Sequence, residues 1–420
     1  MYEIANINGA TFIFSPFKDL ETASLGIFLK IGSRFERKSL KGIAHFLEHM
    51  LFKGSKNYSH LEIKREIEGR GGSLNAFTSQ EITAYYAHFL NKNLSGALDI
   101  LLDMVHNPLL EQGEIDKERN VILEEIKMYN DLPASRAMTL LDNLLWEDNP
   151  LGEEVIGYAS TVKKINRRNL EYFCKEYYIP SNMVISFSGA FPKDEIIGLL
   201  KRKIKMASQK AVLHAVSPSA CLGLHVKCEI KKLEQCQLCL GFRSVSYRSP
   251  ERFIAQLLNV ILGANMSSRL FEELPEKKSL CYDISTELRK YKDSGGFLVH
   301  IGLDKSKVIL AITTILKELG KIKEGEVSGK ELLRAKDYLL GQIAMSLERP
   351  QGRMFQFAES YIAQGKIFDF DAIKREIEPV SPSQIKKIAN EIFTFENMCI
   401  SCVGNIEASL EDQIRKKFAQ

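Results

Sequence analysis

The chain has 420 residues, too many for one ordinary domain, and its 45% hydrophobic and 26% charged residues are those of a folded globular protein. The 57 basic and 53 acidic residues nearly cancel to +4, and the basic ones are spread along the chain, which argues against a nucleic-acid partner. No apolar run approaches the ~18 residues of a membrane span, and residues 1–16 lack the pattern of a signal peptide, so the expected location is cytoplasmic.

In chain order, residues 25–36 (LGIFLKIGSRFE) open as an apolar strand. Residues 43–52, within GIAHFLEHMLF, read as a helix, and apolar and polar positions alternate over 83–90 as in a half-buried strand. Helical periodicity is clearest over 94–105 and 111–129, and residues 182–189 (NMVISFSG) form a strand ending in Gly. The polar stretch 205–222, with Ser-Gln-Lys and then Val-Ser-Pro-Ser, is the best linker.

Beyond it the pattern repeats. NMVISFSG returns as NMCISCVG, 215 residues later, with identity at Asn, Met, Ile, Ser and Gly. Residues 25–36 correspond to 238–249, and 90–105 to 303–319. Each half reads as two strands, two helices, two strands, a run of helices and a last strand. Strands grouped apart from helices imply an α+β fold, with helices packed on an antiparallel-rich mixed sheet in each of two homologous domains. The expected division is 1–208, a linker at 209–222, and 223–420.

Eight cysteines (Cys174, Cys221, Cys228, Cys236, Cys239, Cys281, Cys399 and Cys402) read as reduced thiols in a chain without a signal peptide. Two C-x-x-C pairs, Cys236/Cys239 and Cys399/Cys402, lie in strand-like runs. Residues three apart on a strand face opposite ways, so neither pair chelates one ion, and a thiolate-zinc or redox reading is disfavoured.

The chemistry concentrates in His45-Phe46-Leu47-Glu48-His49. Four residues apart on a helix, both imidazoles reach one metal ion, and Glu48 points to nearly the same side. This H-x-x-E-H pattern with one distant carboxylate suits a catalytic zinc site that keeps a position open for water. Two imidazoles and a carboxylate on an apolar segment need such a partner to be buried. The helix over 111–130 offers Glu118, Glu124 and Glu125 for the missing ligand. Glu118 and Glu125 share a face two turns apart with Ile122 and Tyr129, but geometry does not choose between Glu124 and Glu125.

On these residues the chain resembles the pitrilysin, insulinase and mitochondrial-processing-peptidase family of zinc endopeptidases, the inverzincins. The likeness spans essentially the whole chain through GIAHFLEHMLFKGS, GGSLNAFTSQEITAYY and ERNVILEEIKMYND. It implies one Zn²⁺ per chain on His45, His49 and Glu125, the last chosen by the family's spacing, 76 residues after His49. It makes Glu118 a supporting carboxylate and Glu48 the base that takes a proton from water. Asn75, Ala76 and Phe77 resemble the edge strand that receives substrate by main-chain pairing. His45, Glu48 and His49 align with Gln256, Asn259 and Val260, so the second half holds no such site. In the segment 267–282, Tyr282 matches a Tyr that contacts the developing oxyanion, whereas Pro275 stands where active members carry Arg; Lys277 and Arg269 are the nearest replacements.

The resemblance implies a clam-shell chamber of four half-units, hence a dimer of this chain or a heterodimer with an Arg- and Tyr-bearing homologue, enclosing peptides or unfolded segments. The expected function is zinc-dependent endopeptidase; the alternative is a non-catalytic or partner-dependent peptide-binding subunit.

Overall fold

Two mixed sheets organise the chain. The computed structural model describes residues 2–17, 19–206, 210–219, 223–325 and 327–418, with the backbone alone for Tyr282. The first sheet contains β1 (Glu3–Ile7), β2 (Ala10–Pro16), β3 (Thr22–Leu29), β4 (Ser73–Thr78), β5 (Thr83–Leu90) and β6 (Met183–Gly189) in the order β1-β2-β6-β3-β5-β4. The second contains β7 (His225–Ile230), β8 (Cys236–Ser244), β9 (Cys281–Lys290), β10 (Gly295–Leu303) and β11 (Met398–Gly404) in the order β7-β11-β8-β10-β9. The pairs β2–β6 and β7–β11 are parallel and the others antiparallel, as expected for an antiparallel-rich mixed sheet.

The first half opens with three strands rather than the expected two. Asn8 and Gly9, both at positive φ, make a two-residue turn between paired Ile7 and Ala10, the Asn-Gly geometry that matches strand twist.

The helices that matter here are α1 (Ile43–Leu51), α2 (Leu94–His106), α3 (Gln112–Asp131), α4 (Pro133–Leu145), α5 (Arg252–Leu262) and α6 (Pro350–Gln364). Among the described residues no helix is long and apolar enough to cross a membrane. One core joins the inner faces of β3 and β5 (Leu25, Ile27, Tyr85, Ala87) to α1 and α2 through Phe46, Leu47, Leu98 and Leu101. Another gathers Leu141, Leu145 and Trp146 against Cys239, Leu298 and Val403.

The compact units are not continuous stretches of chain. One comprises Met1–Lys127, Glu154–Ala215 and Met345–Phe368; the other comprises Met128–Glu153, Val216–Ala344 and Asp369–Gln420. They depart from the division at 1–208 and 223–420 by exchanging segments 128–153 and 345–368. The reason is which sheet face each exchanged helix covers. Helix α6 packs on β6 and β3, and α4 packs on β11 and β8. Equivalent serines of the repeat fasten them: Ser186 Oγ donates to the Met354 carbonyl at 3.0 Å, and Ser401 Oγ to the Ala137 carbonyl at 2.7 Å. Of the expected linker, residues 210–219 carry no helix or strand, while 209 and 220–222 lie outside the described residues.

Candidate active site

Helix α1 starts where Gly42 adopts φ +93°, and a Cβ there would lie 2.5 Å from the Ile156 carbonyl oxygen, so the entry requires glycine. The Glu36 carboxylate accepts the Gly42 and Ala44 N–H groups at 2.9 and 2.8 Å, occupying donors that the first turn leaves open. Ile43, Ala44, Phe46, Leu47, Met50 and Leu51 are buried, which anchors α1 and leaves His45, Glu48 and His49 on the remaining face.

The two imidazole rings are 4.6 Å apart between centroids. Glu125, from α3, reaches them: its Oε2 is 3.9 Å from His45 Nε2 and 3.7 Å from His49 Nε2. Glu124 points elsewhere; its side chain is 72% exposed and pairs with Lys127 at 2.7 Å, whereas that of Glu125 is 24% exposed. The helix spacing left this choice open, and the structure brings Glu125 to the histidines.

The donor set fits a zinc ion. Ligand atoms of His45, His49 and Glu125 all lie within 4.8 Å of one another, the one such group among the described residues. Bonds of ~2.0–2.1 Å put tetrahedral ligands ~3.3 Å apart, so a small inward movement closes the cage. Glu125 Oε2 is buried and accepts no hydrogen bond, a costly state for a carboxylate unless a cation answers it.

The flanking contacts fix the orientation of these groups. His49 Nδ1 donates to Glu118 Oε2 at 3.0 Å, leaving Nε2 to face Glu125. Lys53, one turn beyond His49, pairs with the other Glu118 oxygen. Burial opposes the charge of Glu118, but the bonds from His49 and Lys53 outweigh it and hold the carboxyl below its usual value. For His49, burial favours the neutral ring, yet the Glu118 bond and the charges of Glu125 and Glu48 prevail and raise it. Burial, then the neighbouring His49, pushes His45 down to about 3, so its ring is neutral and able to ligate. Burial pushes the Glu48 carboxyl up, against the opposing Thr78 bond and the charge of His49.

Thr78 Oγ1 donates to Glu48 Oε2 at 2.5 Å and ties the edge strand β4 to α1. Neither Thr78 nor Lys53 was among the expected site residues. Lys53 carries a usable signal, since it follows His49 by one helical turn; the Thr78 contact has no counterpart in local spacing. Asn75, Ala76 and Phe77 lie on β4, which has β5 on one side and, among the described residues, no strand on the other. Asn75 is exposed, and Phe77 packs at 6.0 Å from the ring of Phe355 and 6.4 Å from that of Tyr86.

Tyr282 is in β9, and its side chain lies outside the described residues. Pro275 sits inside a π-helical turn, Glu272–Lys277. Both nearby cations are engaged locally: Lys277 pairs with Glu273 at 2.7 Å and Glu272 at 3.1 Å, and Arg269 makes a two-pronged contact with Glu331 at 2.7 and 2.8 Å.

Residues 16–158 match the family model described as insulinase (peptidase family M16), and residues 164–339 match the peptidase M16 inactive domain. An uncharacterized zinc protease of Bacillus subtilis is 32% identical over 408 residues, 95% of this chain and 98% of its own length. One from Rickettsia bellii is 32% identical over 388 residues, covering 92% and 93%. Among solved structures, a protease from Helicobacter pylori superposes with a TM-score of 0.92 at 22% identity, covering 96% of this chain and 99% of that one, which shows the shared fold.

Proposed function

Because the chain belongs to the insulinase family of peptidases, family M16, we propose that it is a zinc-dependent endopeptidase acting on peptides or unfolded protein segments. One observation carries the reading: a buried carboxylate oxygen without a hydrogen bond faces two imidazole nitrogens at 3.7 and 3.9 Å, with Glu48 on the same helix face.

In this reading His45, His49 and Glu125 hold one Zn²⁺, whose chemistry is that of a Lewis acid that brings the pKa of water toward ~7 and polarises a carbonyl. Glu48 accepts the proton of the attacking water and delivers it to the leaving amine, and burial raises its carboxyl in the direction that favours proton uptake. Thr78 holds the Glu48 carboxylate in place, and Glu118 fixes the tautomer and tilt of His49. The open edge of β4 at Asn75–Phe77 takes an extended peptide by main-chain pairing, which gives affinity with little demand on sequence. Tyr282 is assigned to the developing oxyanion, and the working form is a dimer, of this chain with itself or with an Arg-bearing homologue.

The test is cleavage of an unstructured peptide mixture by the purified chain, before and after chelation, with zinc restored. Chelator-sensitive, zinc-restored cleavage with one zinc per chain is expected. Zinc-replete protein that binds peptide without cutting it would overturn the reading in favour of a non-catalytic subunit.

A further inference from the structure

A closed run of contacts leaves α1 at its start and returns to it at Glu48. Segment 31–36 carries the Glu36 carboxylate that receives the first N–H groups of α1, and buried Lys41, at the helix entry, donates to the Ser33 carbonyl at 3.1 Å. The same segment is stitched to turn 79–82, between β4 and β5. Ser33 N–H donates to the Ser79 carbonyl at 3.1 Å and Arg34 N–H to the Gln80 carbonyl at 2.9 Å. The Thr83 hydroxyl donates to the Ile31 carbonyl at 2.9 Å. Gly32 lets the two backbones meet, since a Cβ there would lie 2.2 Å from the Ser79 carbonyl oxygen.

An ion pair locks the stitch. Arg34, only 2% exposed, meets Glu81 Oε1 at 2.5 Å, so a buried guanidinium finds a counter-charge on the turn. The turn also closes on itself: Ser79 Oγ donates to the Ile82 carbonyl at 3.0 Å and accepts the Ile82 N–H at 3.1 Å. The residue before the turn is Thr78, the last of β4, whose hydroxyl donates to Glu48.

We propose that Glu81 is a positioning residue: paired with Arg34 it fixes turn 79–82, and through Thr78 it fixes the direction in which the Glu48 carboxylate points. The inference rests on the peptidase reading, in which Glu48 is the base, and adds a residue that acts on that base from outside the site.

The helix fixes the backbone of Glu48 but not its carboxylate, which swings about the side-chain bonds. Among the described residues the Thr78 hydroxyl is the one hydrogen-bond donor to that carboxylate. Thr78 in turn sits at the end of an edge strand, paired with Thr83 of β5 alone, so its place depends on the turn that follows. Misplacing a catalytic group by about 1 Å can cost ~10²-fold in rate, so a loosened turn is felt at the base.

Glu81→Gln in the full chain tests this, since it keeps the size of the side chain and removes its charge. In metal-free protein, hydrogen exchange at the Ser33 and Arg34 amides is expected to speed up at least ~10-fold, while α2 is unchanged. In zinc-loaded protein kcat is expected to fall ~10-fold with zinc affinity unchanged. The double variant separates positioning from general loosening. Thr78→Val alone also lowers kcat ~10-fold; adding Glu81→Gln to it should cost little more, whereas independent effects multiply to ~100-fold. Multiplied losses, unchanged exchange, unchanged kcat or weakened zinc binding would each overturn the proposal. A wild type that cuts no peptide overturns the peptidase reading and the role of Glu48 with it, so the two failures are told apart. Should Glu81→Gln not fold, Ser79→Ala removes only the hydroxyl that closes the turn and is expected to lower kcat about 3-fold, with the same dependence on Thr78.

Discussion

Helices α1 and α5 fill the same slot of the repeat and do opposite things with it. Both bury an apolar face, through Phe46 and Leu47 in one and Leu257 and Leu258 in the other. On the remaining face α1 presents His45, Glu48 and His49 to a carboxylate from α3. In α5 the aligned residues are Gln256, Asn259 and Val260: Lys290 Nζ donates to the Gln256 amide oxygen at 3.1 Å, Asn259 Oδ1 is buried without a hydrogen bond, and Val260 joins the core. An ammonium and an amide thus meet in the second slot, where the first gathers imidazoles and carboxylates. The architecture supplies the slot, and three side chains decide whether it has chemistry.

The largest expected effect is at the base. Glu48→Gln keeps the shape and the zinc content but lowers kcat by ~10²–10⁴, the usual worth of a positioned proton acceptor, while Asn259→Ala in the matching place leaves kcat unchanged; zinc analysis and peptide turnover on both variants decide it. A smaller loss follows Glu118→Ala, which frees the His49 ring and weakens zinc affinity by ~10–100-fold, read by competition with a chromogenic chelator. Turnover at saturating zinc should then largely recover, which separates support of a ligand from catalysis.

The fastening serines make the comparison structural. Ser186→Ala and Ser401→Ala each delete one buried hydrogen bond, and each should lower stability by about 0.5–1.5 kcal/mol. Clearly unequal losses in denaturant unfolding would show that the two sheets do not depend equally on their exchanged helices. The smallest effect is one of pH. Asp103 on α2 pays a burial penalty, but bonds donated by the Asn57 N–H and by the Asn57 and Asn107 amides outweigh it and hold its carboxyl below the usual value. The position thirteen residues beyond Leu303 in the second copy is Leu316. A lowered carboxyl stabilises the fold above the ordinary Asp range and loses that contribution as pH falls through the lowered value. Asp103→Asn should therefore be less stable than the wild type at pH 7, with the difference shrinking below about pH 4, as thermal unfolding across that range would reveal.

What was legible in the sequence was whatever local spacing encodes. Residues four apart on a helix share a face, so His45, Glu48 and His49 declared themselves, and the returning NMxIS motif revealed the duplicated strand that places Ser186 and Ser401. Glu124 and Glu125 differ by only 100° of helix rotation, and only the seating of α3 against α1 decides which one faces inward. The Thr78–Glu48 bond joins residues 30 apart through strand placement, and no window of sequence contains it. The exchange of α4 and α6 was invisible for a similar reason. An amphipathic helix announces that one face must be covered, but not which sheet will cover it.

That exchange sets an order of events during synthesis. Ser186 is made 168 residues before its partner Met354, and Ala137 264 residues before Ser401. At ~5–20 residues per second, the outer face of the first sheet waits roughly ten to thirty seconds on the ribosome for its covering helix. During that interval Phe28, wholly buried in the finished protein with its ring 5.6 Å from that of Phe355, lacks the helix that covers it. The nascent first half therefore displays an apolar surface of the kind that chaperones bind, and its exposure ends only when residues 350–364 emerge.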